Sequence, residues 1–302
     1  MNFYDIGSLD PQQKEVLFRE RYPGKIKNAG KKHPVVDKVL ALNKNTKPNP
    51  ERLAALGGIW AMNLAQRYEV PIKYLLICPD QLKTIESQQL IHWFIERAEE
   101  TFLISERVFS TLVETENGQG IMGVFYLNFM DLANFEPAEN SLVLVLDGLE
   151  IPGNVGTILR SAEATGTQGV FLSNRKVRLN HPKLLRSSMG SVFKVPVIEA
   201  PDPPELIRQL LSWGYRIILA DTDSPNKYYD LDYVGKVALV MGAEKYGISD
   251  WFYKAPHEDV MIPMLGDMDS LNVGVATTIL LYEAAMKNKG FLKRFCCEHI
   301  MG

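Results

Sequence analysis

Two hydrophobic patterns divide this chain. From residue 141 onward the apolar residues come in short unbroken blocks, at 142–149, 169–173, 195–199, 216–220, 237–241 and 259–263. Such continuous runs mark strands buried on both faces, where a half-exposed strand would alternate. Between them, 154–165, 181–188, 204–213 and 250–254 read as helices, and a long helix is expected over 270–288. Strands and helices in strict alternation predict an α/β unit built on a parallel sheet.

Before residue 128 the pattern is mixed. Residues 51–68 read as helix, with Leu53, Leu56, Ile59, Trp60 and Leu64 at three- and four-residue spacing; 72–78 reads as a strand and 88–100 as a helix. The runs TFLIS, RVFSTLVET and GIMGVFYL add a strand, a short helix and a strand. A small α/β domain is therefore expected over 50–128. The polar stretch 129–140 reads as a linker, 1–49 as a leader and 141–302 as a second domain.

Length supports this division, since 302 residues exceed the usual size of one domain. No apolar run approaches a membrane span of about 18 residues, and the opening MNFYDIGSLDPQQK lacks a secretory core, so a cytoplasmic protein without a membrane partner is expected. Three cysteines and five histidines show no spaced ligand motif. Cys78 is expected as a buried apolar residue, the Cys296-Cys297 pair with His299 close the chain, and neither a disulfide framework nor a metal site is expected. The formal net charge is −3, yet the first 50 residues hold ten Lys and Arg against five acids. An RNA-contacting surface and a merely solvated leader fit that excess equally well.

The candidate chemistry lies where apolar blocks turn into helices. In LVLVLDGLEIPGNVGTILR, residues 142–160, a Gly–Asn–Val–Gly turn opens a helix that carries Arg160. Helix-first N–H groups face outward there and suit anions and polar ligands. MGAEKYGIS at 241–249 and MIPMLGDMDSLNVGVATTILLYE at 261–283 repeat the arrangement, which predicts one composite pocket from three turns. A dinucleotide fingerprint is absent, because GNVG at 153–156 lacks the third glycine; no Walker loop is present either. That excludes a nucleotide-dependent oxidoreductase. Taken alone, the GNVG turn reads first as a structural tight turn, and its weight comes from the combination with the other two.

In order and spacing, PGNVGTILRSAEATG, SMGS, VMGAEKYGIS and IPMLGDMDSLNVGVATTILLYE resemble the signature blocks of the SPOUT superfamily, specifically the TrmH/SpoU family of RNA ribose 2′-O-methyltransferases. The resemblance covers roughly residues 142–288. It implies a deep trefoil knot in the C-terminal domain, which topology rules would otherwise exclude, and S-adenosylmethionine held mostly by main chain. The implied cofactor positions are Met241, Gly242, Ile262, Met264 and Leu271, with Gly242 permitting close backbone approach and the apolar side chains enclosing the adenine.

The implied catalytic set is Arg160, Asn154, Glu244, Ser270 and Asn272. An arginine in water stays protonated, so the simplest role for Arg160 is to hold RNA phosphate and stabilise charge developing on the ribose 2′-oxygen. Asn154 is expected to orient Arg160 or the ribose, Glu244 to position a substrate or backbone amide, and Ser270 and Asn272 to cap the last helix; for Ser270 the cap alone is an equal reading. Methyl transfer from an activated sulfonium needs alignment and charge stabilisation, and no metal.

More loosely, the first domain resembles the ribosomal-protein-like substrate-binding domain that precedes the knot in many rRNA-directed members. It departs at AALGGIW, where Gly57 and Gly58 stand in place of an acidic strand motif. The expectation is a homodimeric 2′-O-methyltransferase of structured RNA, rRNA ahead of tRNA. The alternative is a non-catalytic RNA-binding or ribosome-assembly protein that keeps the fold.

Overall fold

The computed structural model describes residues 6–45, 47–113 and 119–291. Its contacts divide into two units, Met1–Leu127 with Asn180–Pro182, and Asn128–Leu179 with Lys183–Gly302. Cys296, Cys297 and His299 lie outside the described residues.

In chain order the first unit comprises α1 (Pro11–Arg21), β1 (Ile26–Asn28), α2 (Pro34–Lys44), β2 (Leu53–Gly57), α3 (Ile59–Arg67), β3 (Ile72–Ile77), α4 (Ile85–Ile95), β4 (Glu100–Leu103), α5 (Glu106–Leu112) and β5 (Ile121–Tyr126). The sheet order is β1-β4-β3-β5-β2; β5 runs antiparallel to both its neighbours, and the other pairs are parallel.

Two stretches depart from the sequence reading. The basic leader is folded: Asp10 and Gln13 form a reciprocal capping box at 2.8 and 3.0 Å, with Pro11 opening α1. Farther on, β1 joins the sheet beside β4, and Val35, Val36, Val39 and Leu42 of α2 enter the core with Leu53, Leu76, Phe102 and Phe109. Several of its cations are paired within the unit, Lys25 with Glu96, Lys27 with Glu100 and Lys38 with Glu51. The helix expected over 51–68 is instead strand β2, a break at Gly58 and helix α3. Gly58 has φ +89°, a conformation that ends the strand and starts the helix.

The second unit comprises β6 (Phe129–Asp131), β7 (Ser141–Asp147), α6 (Pro152–Thr165), β8 (Gly169–Ser173), α7 (Pro182–Ser187), β9 (Val197–Glu199), α8 (Pro203–Ser212), β10 (Arg216–Ala220), β11 (Lys236–Gly242), α9 (Asp250–Tyr253), β12 (Glu258–Val260) and α10 (Val273–Asn288). Its seven strands are all parallel, in the order β12-β10-β11-β7-β8-β9-β6. The expected parallel α/β sheet is therefore present. β7 is buried along its whole length, as its unbroken apolar run requires.

The segment read as a linker also contributes structure. β6 pairs with β9 as an edge strand, and Phe135 packs edge-on against Phe171, with ring centroids 5.1 Å apart. The long last helix begins at Val273 rather than 270, with Asn272 as its cap. Register sets Gly242 beside Asp147 and Ala220 beside Val260, so the carboxyl ends of β7, β10, β11 and β12 finish together. Ligands of open α/β sheets bind at that edge.

Candidate functional site

Three loops that leave those strand ends enclose a cavity of about 370 Å³. They contribute residues 220–222 at the end of β10, 241–244, 247 and 248 at the end of β11, and 262, 264, 270 and 271 after β12, and Val273, Ala276 and Leu280 of α10 form a wall. The volume falls in the range of small-molecule pockets, roughly 300–1,000 Å³. Seven of the ten residues singled out from the sequence line it: Met241, Gly242, Glu244, Ile262, Met264, Ser270 and Leu271. Asn154, Asn272 and Arg160 do not.

The loop after β11 is a tight hairpin. Ala243 and Gly247 exchange both backbone hydrogen bonds, at 3.0 and 2.8 Å, and Gly247 turns the chain at φ +66°. A Cβ on Gly242 would lie 2.2 Å from the carbonyl carbon of Gly247 and 2.4 Å from the nitrogen of Ile248. The missing side chain of Gly242 thus lets this hairpin fold back on itself. Sequence reasoning gave that space to a ligand; the structure gives it to the chain's own backbone.

Asn154 and Asn272 stand beside the cavity and are tied to it through Glu244. The Asn272 side-chain oxygen accepts from the Gly274 N–H at 2.9 Å, capping α10. With its oxygen so fixed, Asn272 donates its amide to the Asn154 oxygen at 3.3 Å, and Asn154 in turn donates to the Glu244 carboxylate. The cap therefore sets the sense of the whole relay, because each amide has one donor end and one acceptor end. Glu244 holds the side-chain amide of Asn154. Ser270 lies two residues ahead of the cap, lines the cavity and does not cap the helix.

Arg160 is exposed on α6, and its guanidinium makes no hydrogen bond or ion pair with any described residue. Asn154 faces Glu244 and Asn272, so the expected contact with Arg160 is not formed. On α10, Val275 and Tyr282 are 50 and 43 % exposed and, with the half-buried Ile279 and Met286, form an apolar stripe at helical spacing.

Two further features escaped the sequence reading. Asp147, only 2 % exposed, closes β7; it accepts from the Asn174 amide at 2.7 Å and from the Ser249 N–H at 2.8 Å, pinning the far end of the hairpin. An acid ending the otherwise apolar run LVLVLD was the available signal. At the cavity's other side the Tyr253 hydroxyl donates to Asp221 at 2.6 Å, and burial together with that carboxylate pushes the phenol well above its ordinary range. Among the described residues no cluster of His, Cys, Asp or Glu is placed to hold a metal ion.

A model of the SpoU rRNA Methylase family matches residues 141–282. The 23S rRNA (guanosine(2553)-2′-O)-methyltransferase RlmP of Bacillus subtilis (strain 168) is 30% identical over 188 residues, which span 62% of this chain and 73% of that protein. The 23S rRNA (uridine(2479)-2′-O)-methyltransferase of Streptomyces viridochromogenes is 28% identical over 232 residues, 75% of this chain and 80% of that protein. Another relative is aligned over 66% of its own length. Among solved structures, the AdoMet-bound rRNA methyltransferase from Sinorhizobium meliloti superimposes with a TM-score of 0.77 at 27% identity, covering 89% of this chain and all of that one.

Proposed function

The chain belongs to the SpoU rRNA methylase family, and on that premise we propose that it places a methyl group on a ribose 2′-hydroxyl of structured RNA, ribosomal RNA ahead of transfer RNA. It is an RNA methyltransferase, and S-adenosylmethionine is its methyl donor. One observation carries the finer reading: Glu244 both lines the cavity and holds Asn154, which joins the donor pocket to the first turn of α6. The 2′-O position and ribosomal target are supported by the names of the two 23S rRNA relatives, which act on different nucleotides.

The cavity fits the donor chemically. Ile262, Met264 and Leu271 offer an apolar enclosure for an adenine, while Asp221, Thr222, Glu244 and Ser270 bring polar groups for the remainder. When bound, the donor supplies an activated methyl on a cationic sulfur. Asn154, oriented by the Asn272–Glu244 relay, aligns the ribose. Arg160 supplies a guanidinium to the neighbouring phosphate and to charge building on the 2′-oxygen.

Arg160 stands outside the cavity lining and the α10 stripe is uncovered, and both support a homodimer in which Arg160 completes the site of a second copy. For the knot, the support is the hold of residues 229–235 on the end of α10. Lys287 donates to the carbonyls of Tyr229 and Leu231, and Asn288 to those of Tyr233 and Gly235 at 2.7 and 2.9 Å. The first unit is read as the RNA-binding domain, with residues 6–45 joined to the expected 50–128. No described helix is long and apolar enough to cross a membrane, and the cytoplasm, where ribosomal RNA resides, is the proposed location.

Calorimetry with S-adenosylhomocysteine, followed by methyl transfer from labelled donor to total rRNA and tRNA, tests the reading. Binding with ribose-methyl product in rRNA supports it. Absence of homocysteine-product binding overturns it in favour of a non-catalytic RNA-binding protein, and product on a base overturns the 2′-O assignment.

A further inference from the structure

The second unit carries a concentration of charge that the donor pocket does not use. Residues 174–198 hold six Lys and Arg and no Asp or Glu, in a chain whose formal net charge is −3. The fold turns these cations outward. Lys176 and Arg178 are exposed while Val177 and Leu179 beside them are buried, an extended segment pinned by one face. In α7, Leu184 and Leu185 are buried, and Lys183 and Arg186, three residues apart on one side of the helix, are exposed. Arg175 is committed to an ion pair with Glu199 at 3.2 Å.

Both rows are anchored to the turn that carries Asn154. Val177 and Leu179 line one small cavity together with Leu146 and Leu149 near the end of β7 and with Val155, the residue after Asn154. Helix α7 packs so closely on α6 that a Cβ on Gly156 would lie 2.6 Å from the Leu184 oxygen and 3.0 Å from the Ser188 nitrogen. The stem of Lys183 covers Gly153, whose added Cβ would lie 3.2 Å from its Cε. A rigid backbone contact thus fixes the distance between exposed cations and the first turn of α6.

We propose that Lys176, Arg178, Lys183 and Arg186 form a rail that grips the sugar-phosphate backbone of the substrate RNA beside the reacting ribose. Phosphate contacts of this kind fix register and supply affinity without reading bases. The rail therefore sets where the strand lies, and sequence choice is made elsewhere. The proposal rests on the reading that RNA is the substrate and adds which surface holds it.

The test uses the full chain and a fluorescent RNA hairpin of arbitrary sequence, titrated by anisotropy across a potassium chloride series. Each cation removed from a phosphate lowers the slope of log affinity against log salt by about 0.7–0.9. The variant Lys176→Gln/Lys183→Gln/Arg186→Gln is expected to lose about 2–3 from that slope while keeping its affinity for S-adenosylhomocysteine. Lys31→Gln/Lys32→Gln, in the first unit, is the comparison and is expected to change the slope less. An unchanged slope in the triple variant, or a larger loss in the comparison, overturns the rail.

If the triple variant loses S-adenosylhomocysteine affinity, Lys176→Gln and Arg186→Gln alone decide, each expected to lower the slope by about 0.7–0.9; no change in either overturns the proposal. Wild-type protein that binds no S-adenosylhomocysteine sinks the methyltransferase reading instead, so the two failures are distinguishable.

Discussion

Gly242→Ala tests whether the hairpin after β11 is built by backbone contact. The added methyl meets the carbonyl carbon and oxygen of Gly247 at 2.2 and 2.5 Å and the Ile248 nitrogen at 2.4 Å, and no rotamer change moves those atoms. The hairpin must therefore shift. Overpacking costs about 1–3 kcal/mol, and loss of the two Ala243–Gly247 hydrogen bonds adds about 1 kcal/mol each, so a loss of roughly 3–5 kcal/mol is expected. Gly247→Ala is the control, because its Cβ points into open space and its only penalty is the left-handed φ of +66°, about 1 kcal/mol. Urea unfolding gives the stabilities, hydrogen exchange of residues 241–249 locates the change, and titration with S-adenosylhomocysteine reads the cavity. Gly242→Ala is expected to lose more stability, more amide protection and more affinity than Gly247→Ala. Equal or smaller losses would refute the steric argument and return the space beside Gly242 to the ligand.

Asn272→Asp keeps an oxygen to cap α10 but removes the donor that orients Asn154, so helix stability is expected to hold while methyl transfer falls; Asn272→Ala should lose both, with about 1 kcal/mol from the cap. Equal activity in Asn272→Asp and wild type would disprove the relay. Arg160→Ala is expected to lower methyl transfer by about 10²–10³-fold with cofactor affinity and stability unchanged, and undiminished transfer would remove Arg160 from the reaction. Asp147→Asn puts an amide hydrogen where the Ser249 N–H or the Asn174 amide now donates, and should cost about 1–3 kcal/mol in urea unfolding. Burial pushes the Cys78 thiol up to about 12, so at pH 8 it is un-ionised and inaccessible. Mass spectrometry after iodoacetamide treatment should find its peptide unmodified until the chain is unfolded, and native labelling contradicts the buried placement.

What the sequence disclosed and what it hid follow from one physical difference. In the second unit, strands buried on both faces write themselves as unbroken apolar runs, so β7, β8, β10 and β11 were legible nearly to the residue. Residues brought together from the ends of β11 and β12 were legible with them, but the loop after β10, the strand between those two, was not, and the turn after β7 stands outside the cavity lining. In the first unit β2 lies at the sheet edge, and its LAALG composition favours a helix. Only pairing with β5 makes it a strand, and pairing is a tertiary fact. Gly57-Gly58, noticed as a departure from the family pattern, was the local mark of the break. The leader hides its fold for a different reason: its charge excess has the composition of solvated chain, while the local mark of structure is Asp10-Pro11 with Gln13, a capping box present in the sequence itself.

At the site, residue types were legible and partners were not. Nothing local tells whether Ser270 or Asn272 caps α10; the choice falls to Asn272 because its oxygen reaches the Gly274 N–H. Once that choice is made, the donor and acceptor ends of Asn272 and Asn154 have only one self-consistent order leading to Glu244. The direction of the relay thus comes from helix capping, a folding requirement, and the orientation of Asn154 toward the cavity wall follows from it. A chain that folds α10 correctly has already aimed Asn154.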